Sequence, residues 1–359
     1  MADTYYDSPE VRYRQRKKST IPFTHTSRHK PRRWPLALRF TKGAIHSHIW
    51  IPGTLHAIFT IVVVFVDQQL NGHLGLPASI IPSLSIVVGL MLVFRNQTSY
   101  NRFWEGRNHL TDIITSVRNL TRSFLSCSHN SSASPTSTSA NRAATERVVC
   151  ILIAILYATK NHLRAEWGAG AIPGRAATAD DSPNAQRTAE YGELLPAGLT
   201  NFEDQGLGLP LQLSFFVEQY IQRAHDQGWF HSPQASTMQV QLNRLVEAYG
   251  RMETIRLTPI PVAHLIHQKQ VLALFGCVLP FAMVDEMGWW AVPIVTLVIF
   301  TLYGIEGIGS QLEDPFGREK NDIKTDALVE DIRSEVSVLL EEWKRTGEKG
   351  GEMFVGRTD

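Results

Sequence analysis

Four stretches of the chain are apolar and free of charged residues, and they alternate with segments that carry nearly all of the charge. They lie near residues 49–66, 78–94, 270–284 and 289–305. The first and the last come close to the ~20 residues that a helix needs to cross hydrocarbon, whereas the two in the middle are shorter. Each stretch is a candidate membrane span, and for the two shorter ones core helices of a soluble domain are the alternative.

The helical pattern continues beyond the second stretch. Apolar residues recur at helical spacing from Ile113 to Phe124, so we expect the second span to continue into the cytosol as one long helix. Two amphipathic helix patterns follow between residues 207 and 258. Because no segment alternates with period two over enough residues to form a strand, residues 99–258 are predicted to be all-helical.

Two segments of biased composition interrupt this region. Residues 126–143 are rich in Ser and Thr, and residues 168–198 are rich in Gly, Ala and Pro. Both lack the apolar content needed for packing and are predicted to be loops. Between them, the apolar run "VVCILIAILYA" is too short to span a membrane and indicates a buried core helix.

Positive charge is distributed unevenly. Residues 12–42 are dense in Lys and Arg, whereas the connectors 67–77 and 285–288 contain neither. Such basic runs also bind nucleic acid or serve as nuclear signals, but next to a first span the run favours an orientation signal that touches anionic lipid. The positive-inside rule then places both termini in the cytosol and predicts four spans with two short external loops.

The resulting plan has five parts and no cleavable signal peptide. They are a basic cytosolic segment 1–43, the first two spans in 44–98, a helical cytosolic domain 99–258, the last two spans in 259–310, and a cytosolic segment 311–359. In the last part, one helix pattern places Leu328, Ile332, Val336 and Leu340 on one face.

Few residues suggest catalytic or metal chemistry. No nucleophile elbow, phosphate loop or dinucleotide turn is present, so an enzyme is not expected. Three widely spaced cysteines, Cys127, Cys150 and Cys277, indicate no disulfide framework or zinc pattern and are expected to be buried. His264 and His267 are three residues apart on a helix, which permits metal ligation, but they also suit an aqueous vestibule or a solvated membrane boundary.

The second span contains an apolar ridge. Ile86, Leu90 and Phe94 are four residues apart and therefore lie on one side of a helix. Such a ridge can pack against a neighbouring helix. In a symmetric oligomer it can instead form a hydrophobic constriction that controls water and ions by dewetting.

Two other features have open interpretations. Ile260 lies between Pro259 and Pro261, which interrupt any helix and leave either an irregular backbone or a helix start. Residues 311–322 carry oxygen ligands around a Pro-Phe-Gly turn, suited to calcium or to a solvated turn: Gln311, Asp314, Glu319 and Asp322. Arg318 and Lys320 lie among these oxygens and lower the local negative charge.

Several long motifs occur in the order found in the bestrophin family, and between residues 40 and 330, apart from the two segments of biased composition, the chain resembles that family. They are "FRNQTSYNRFWEGR", "TPIPVAHLIHQKQ", "LPF" (279–281), "GWW" (288–290) and "GIEGIGSQLEDPFG". The resemblance implies an all-α homopentameric ion channel, with four transmembrane helices in each subunit and a large helical cytosolic domain.

The same resemblance implies roles for individual residues. Ile86, Leu90 and Phe94 match the hydrophobic pore neck of the family, and Ile260 matches its narrow cytosolic aperture. Animal bestrophins bind calcium in an acidic run after Asn-Pro-Phe-Gly. Here the run reads "DPFGREKND". It keeps the oxygens of Asp314, Glu319 and Asp322, for which the resemblance implies calcium as the ligand. Arg318 and Lys320 depart from the acidic run of the family.

The sequence and the resemblance together predict a pentameric channel for chloride and other small anions. We expect it in the plasma membrane rather than an organelle, in contact with lipids, with no nucleic-acid partner and no assured cofactor. A cation-selective channel on the same scaffold is one alternative. A non-conducting membrane scaffold or metalloprotein that uses His264 and His267 is the other.

Overall fold

The chain is described by a computed structural model that covers most of its length. The described residues are 45–70, 73–127, 135–164, 191, 194–196, 199, 202–319 and 321–349. Within them all regular structure is helical, and no β-strand is found. The predicted all-α class is confirmed.

Eight α-helices make up the described part of the chain. They are α1 (His46–Gln69), α2 (Ile80–Cys127), α3 (Pro135–Leu163), α4 (Leu209–Asp226), α5 (Ser232–Leu257), α6 (Val262–Met287), α7 (Ala291–Leu312) and α8 (Thr325–Lys349). Short 3-10 turns lie at Glu203–Gln205 and Gly288–Trp290. The chain divides into two compact units, of which one is Arg39–Ile323 and contains α1 to α7.

Three stretches are long and apolar enough to cross a membrane. They are Ile49–Gln69, Ile80–Cys127 and Val262–Leu312. The third stretch is 51 residues long and contains two helices, α6 and α7, separated by the 3-10 turn. Of the predicted four spans, these stretches therefore establish three apolar regions, the last of them a helical pair.

The helix α2 is a single element of 48 residues. At ~1.5 Å per residue it is about 72 Å long, which is more than twice the ~30 Å of a hydrocarbon core. The expectation that the second apolar stretch continues as one long helix is confirmed.

The first half of α2 packs against α6 and α7. The three helices share an apolar core made of Val88, Leu92, Leu272, Phe275, Leu279, Val295 and Ile299. The helix α1 packs against α6 and α7. Its approach to α6 depends on Gly276, because a Cβ there would lie 2.6 Å from Cε1 of His56. These contacts hold α1, α6 and α7 beside the first half of α2.

The second half of α2 packs with α3, α4 and α5 in a separate helical core. Its fully buried side chains include Ile113, Leu120, Phe124, Leu152, Ile155, Leu156, Leu213, Ile221, Leu245 and Met252. Phe124 packs edge-to-face on Tyr220, with ring centroids 5.0 Å apart. Burial raises the pKa of Tyr220 to about 12, so its phenol stays protonated beside the Thr145 hydroxyl, 2.8 Å away.

The two predicted loops have different outcomes. The prediction of a loop over residues 126–143 was wrong at both ends, because α2 extends to Cys127 and α3 begins at Pro135. Proline is favoured in the first turn of a helix, where its missing N–H is not needed. Residues 168–198 lie almost entirely outside the described residues, as does the basic segment 12–42.

The helix α8 belongs to the second compact unit. The described part of that unit covers residues 324–349. Ile332, Val336 and Leu340 are buried as predicted, whereas Leu328 is half-buried and its neighbour Val329 is buried. The predicted apolar face is therefore correct to within one residue.

Candidate functional site

The apolar ridge of α2 lies on the surface of the single chain. Ile86, Leu90 and Phe94 are 62%, 53% and 66% exposed. On another side of the same helix, Val88 and Leu92 are each 3% exposed and belong to the shared core. The ridge therefore does not fill a groove between helices of its own chain. Its three apolar side chains remain available to contact another partner or to form a constriction.

Directly after the ridge, α2 is fastened to α7. The side chain of Arg95 is 2% exposed, and its Nη2 donates to Oε2 of Glu313 at 3.0 Å. Asn96 Nδ2 donates to the carbonyl oxygen of Ile305 at 3.0 Å. Gly309 permits this approach, since a Cβ there would lie 3.3 Å from Cγ of Arg95. The exposed ridge therefore ends directly before the part of α2 that is bonded to α7. We call this bonded part of the molecule the joint.

Arg102 connects three chain segments at this joint. Its Nε donates to the carbonyl oxygen of Glu313 at 3.0 Å, Nη1 to that of Thr258 at 2.7 Å, and Nη2 to that of Ile255 at 2.6 Å. The last two oxygens belong to the end of α5, where carbonyl groups lack helical partners and the helix dipole favours a cation. One guanidinium therefore holds the end of α5 and the end of α7 on α2.

The Pro-Phe-Gly turn packs on α2 a little further along. A Cβ at Gly106 would lie 2.9 Å from Cζ of Phe316, which is 1% exposed. The carbonyl oxygens of Phe316 and Gly317 accept hydrogen bonds from Arg164. A glycine inside a helix costs up to ~1 kcal/mol relative to alanine. A glycine at this position in the long predicted helix therefore indicated close packing, although no prediction from the sequence used it.

The residue expected at the aperture is less accessible than the ridge. Ile260 is 8% exposed, although Pro259 and Pro261 on either side of it are exposed. It lies in the connection between α5 and α6, and α6 begins directly after Pro261. This connection is held by the Arg102 bond to Thr258. Arg102 of α2 therefore links the connection that contains Ile260 to the helix that carries the ridge. The structure does not bring the Ile260 side chain into contact with the ridge side chains.

The oxygens expected to bind calcium make contacts within the chain. Asp314 forms an ion pair with Arg256 and accepts from the Phe316 amide, and Oδ2 of Asp322 accepts from the Glu319 amide at 2.7 Å. Gln311 accepts from Asn321. Among the described residues, no group of three or more His, Cys, Asp or Glu is placed to hold a metal. These contacts count against a calcium site, which stays a prediction.

The remaining candidates are dispersed. His264 and His267 are exposed in the first turns of α6. Neither side chain makes a hydrogen bond or an ion pair within the described part of the chain. Within the described residues, Cys127, Cys150 and Cys277 form no disulfide, and they are half-buried rather than fully buried. None of these residues forms a cluster with the ridge.

The chain matches known proteins over most of its length. The family model described as "Bacterial/Fungal Bestrophin protein" matches residues 25–338. A relative from Nostoc sp., named a voltage-dependent anion channel-forming protein, is 36% identical over 300 residues, covering 83% of this chain and 89% of that protein. A protein of the same name from Synechocystis sp. is 30% identical over 321 residues, covering 89% and 95%.

The fold is also that of solved structures. A crystal structure of a bacterial bestrophin homologue from Klebsiella pneumoniae superimposes with a TM-score of 0.66 at 23% identity, covering 82% of this chain and 98% of that one. Its low identity supports the shared fold alone. The family-model match and the relatives from Nostoc sp. and Synechocystis sp. go further and confirm the resemblance read from the motifs: the chain belongs to the bestrophin family.

Proposed function

We propose that the chain forms an anion channel, as a homopentamer around a central pore. The observation that carries this proposal is the exposed apolar ridge of Ile86, Leu90 and Phe94 on a helix whose opposite side packs in the shared core. In a symmetric ring, one ridge from each subunit faces the axis and forms a narrow apolar neck. Such a neck excludes water and ions when it is narrow and conducts when it widens.

The relatives support anions as the permeant ions. The proteins from Nostoc sp. and Synechocystis sp. are named as anion channel-forming. The ridge itself contributes no fixed charge, so selection at the neck depends on how easily an ion gives up its water. We therefore expect larger, weakly hydrated anions to pass well.

The topology follows from the helices and the charge pattern. The spans are α1, the first half of α2, α6 and α7, because α6 and α7 have 26 and 22 residues and each exceeds the ~20 needed to cross hydrocarbon. Connectors without Lys or Arg lie outside, and both termini lie in the cytosol. The plasma membrane is the proposed residence.

A second constriction is proposed at the connection between α5 and α6. Ile260 is its apolar residue, and the exposed Pro259 and Pro261 present this connection to the ion path. Because Ile260 is largely buried within its own chain, we expect the backbone of the connection to set the width of the aperture more than the side chain does.

The deciding experiment is ion selectivity of the purified protein in planar bilayers. Under asymmetric potassium chloride, the reversal potential should lie near the chloride equilibrium potential, with and without calcium in the bath. A reversal potential near that of potassium would support the cation-channel alternative. No conductance, together with bound transition metal, would support the scaffold or metalloprotein that uses His264 and His267.

The assembly has an independent test. Mass determination of the detergent-solubilised complex should give five chains of 40.3 kDa each. A monomer or a dimer would contradict the pore, because one or two ridges cannot enclose an axis. Fluorescent fusions at either terminus, treated with an external quencher on intact cells, would test the orientation.

A further inference from the structure

The exposed face of α2 does not end at the neck. At about 100° per residue, nine residues of α2 after Phe94 lie within about 40° of the direction of Leu90. Among them, Asp112 and Asn119 are half-buried and Ser126 lies next to the end of the helix. The other six are Gln97, Asn101, Trp104, Asn108, Thr115 and Arg122, and all six are exposed. We call them the inner stripe. It extends from Gln97 to Arg122, about 38 Å at ~1.5 Å per residue.

The neck and the inner stripe are one continuous face of one helix. The helix α2 has no break between Ile80 and Cys127. Its buried positions in the second half, such as Ile113, Val117 and Leu120, point into the core with α3, α4 and α5. If the ridge faces the pore axis, as the proposed function requires, the stripe faces the same axis below it.

The chemistry of the stripe changes along its length. Next to the apolar ridge come neutral side chains with amide donors. Gln97 donates to the side-chain oxygen of Asn101 at 2.8 Å, so the amide N–H groups of Asn101 remain as donors. Asn108, seven residues after Asn101 on the same face of the helix, adds a further amide group. Amide and hydroxyl donors can replace part of the water around an anion without binding it tightly, and weak binding is what conduction needs.

The inner end of the stripe is basic. From Ile113 to Cys127 the helix contains Arg118 and Arg122 but no Asp or Glu. Two carboxylates lie nearer the neck. Glu105 is exposed beside the stripe, and Asp112, at its edge, lies 3.8 Å from Nδ1 of His109. A ring of arginines at the inner mouth raises the local anion concentration, as charged clefts do for ligands of opposite sign.

We infer that the inner stripe is the cytosolic wall of the ion path, with amide side chains for weakly hydrated anions and Arg122 as the residue that attracts them from the cytosol. This inference rests on the proposed function and assigns the path that anions take between the cytosol and the neck. It also assigns Trp104, 53% exposed between Asn101 and Asn108, as the bulkiest side chain along that path.

The first test reverses one charge in each subunit and compares two salt concentrations. We expect Arg122→Glu to lower single-channel anion conductance about threefold at ~0.1 M salt, where the Debye length is ~10 Å. At ~1 M salt, with a Debye length of ~3 Å, the difference should nearly disappear. Arg223→Glu is the matched control, because Arg223 is exposed on α4, a helix that packs on α3 and α5.

The second test probes access directly. In a background with Ala at Cys127, Cys150 and Cys277, Asn108→Cys should react with a negatively charged thiosulfonate from the cytosolic side, and the current should fall. Arg223→Cys should react without loss of current. This test requires the reagent to reach the side chain from the cytosolic side of the path, so it separates a wall of the path from a distant charge effect.

The outcomes separate the inference from the proposed function. Loss of conductance at low salt in Arg122→Glu alone, together with block of Asn108→Cys alone, supports the inner stripe. An unmodified protein that conducts anions, while these variants behave like their Arg223 controls, overturns the inference and leaves the proposed function standing. Absence of any anion current from the unmodified protein overturns both.

Discussion

Two phenylalanines on the same helix have opposite surroundings. Phe94 is 66% exposed in the first half of α2, and Phe124 is completely buried in the second half between α2 and α4. The two positions share residue type, helix and backbone geometry. Phe124 therefore has a structural role that its own chain defines, whereas the role of Phe94 depends on what lies outside the single chain. An exposed apolar side chain on a packed helix is the more informative of the two for function.

The largest expected effect compares these two residues directly. Phe124→Ala should lower the free energy of unfolding by about 3–5 kcal/mol, because it leaves a cavity in the helical core. Phe94→Ala should lower it by less than about 0.5 kcal/mol, as expected for an exposed position. Thermal unfolding in detergent, followed by tryptophan fluorescence, measures both. Equal shifts in Tm would show that Phe94 is as well packed as Phe124.

The next effect concerns the joint between the two halves. Arg102→Ala should cost about 2–4 kcal/mol, since it removes hydrogen bonds from a charged donor to three carbonyl oxygens. Arg102→Lys should recover only part of this loss, because an ammonium group cannot reproduce the planar fork of donors. Thermal unfolding in detergent gives the loss for each variant.

Arg107→Ala is the control for Arg102, because Arg107 bonds within its own helix to Thr111. It should leave Tm nearly unchanged. A drop in Tm as large as that of Arg102→Ala would mean that the bonds to α5 and α7 are not what stabilises the joint.

The exposed ridge should affect conduction rather than stability. Changing Ile86, Leu90 and Phe94 together to Ala should raise open probability about tenfold, which corresponds to ~1.4 kcal/mol in a two-state gate. Single-channel recording measures the open fraction, and Val87→Ala, an exposed neighbour on the same helix, is the control. An open probability equal to that of the unmodified channel would show that the ridge does not form the neck.

The smallest effect is expected at Ile260. Because this residue is buried like Phe124, Ile260→Val should cost about 0.5–1.5 kcal/mol of stability and leave open probability unchanged. Its proposed place at the aperture predicts a change in the permeability of iodide relative to chloride. Reversal potentials under bi-ionic conditions measure that ratio, and an unaltered ratio would show that the Ile260 side chain does not contribute to the aperture.

The sequence predicted the helices well because their apolar periodicity is strong. It predicted the uninterrupted α2, the core helix α3 and the ridge at four-residue spacing. It did not distinguish the exposed side of α2 from the packed side, since Val88 and Leu92 are as apolar as Ile86 and Leu90. Exposure depends on where α6 and α7 pack, and periodicity carries no information about that.

The contacts at the joint could not be predicted from the sequence, for a different reason. The hydrogen-bond partners of Arg102 are carbonyl oxygens of residues more than 150 positions away in the chain. Every residue has a carbonyl oxygen, so no side-chain motif marks these acceptors. The start of α3 at Pro135 was missed because the Ser and Thr content of the segment outweighed the one helix-start signal within it.

The uninterrupted course of α2 has a mechanical consequence. A continuous α-helix resists twisting, so a rotation imposed at Arg102 reaches Phe94, about 12 Å away along the axis, with little loss. Side-chain tips lie ~5–6 Å from the helix axis, and a turn of about 20° would therefore carry them sideways by about 2 Å. In the proposed pentamer, five such helices turning together would widen or narrow the ring of phenylalanine side chains at the proposed neck without any change in the fold.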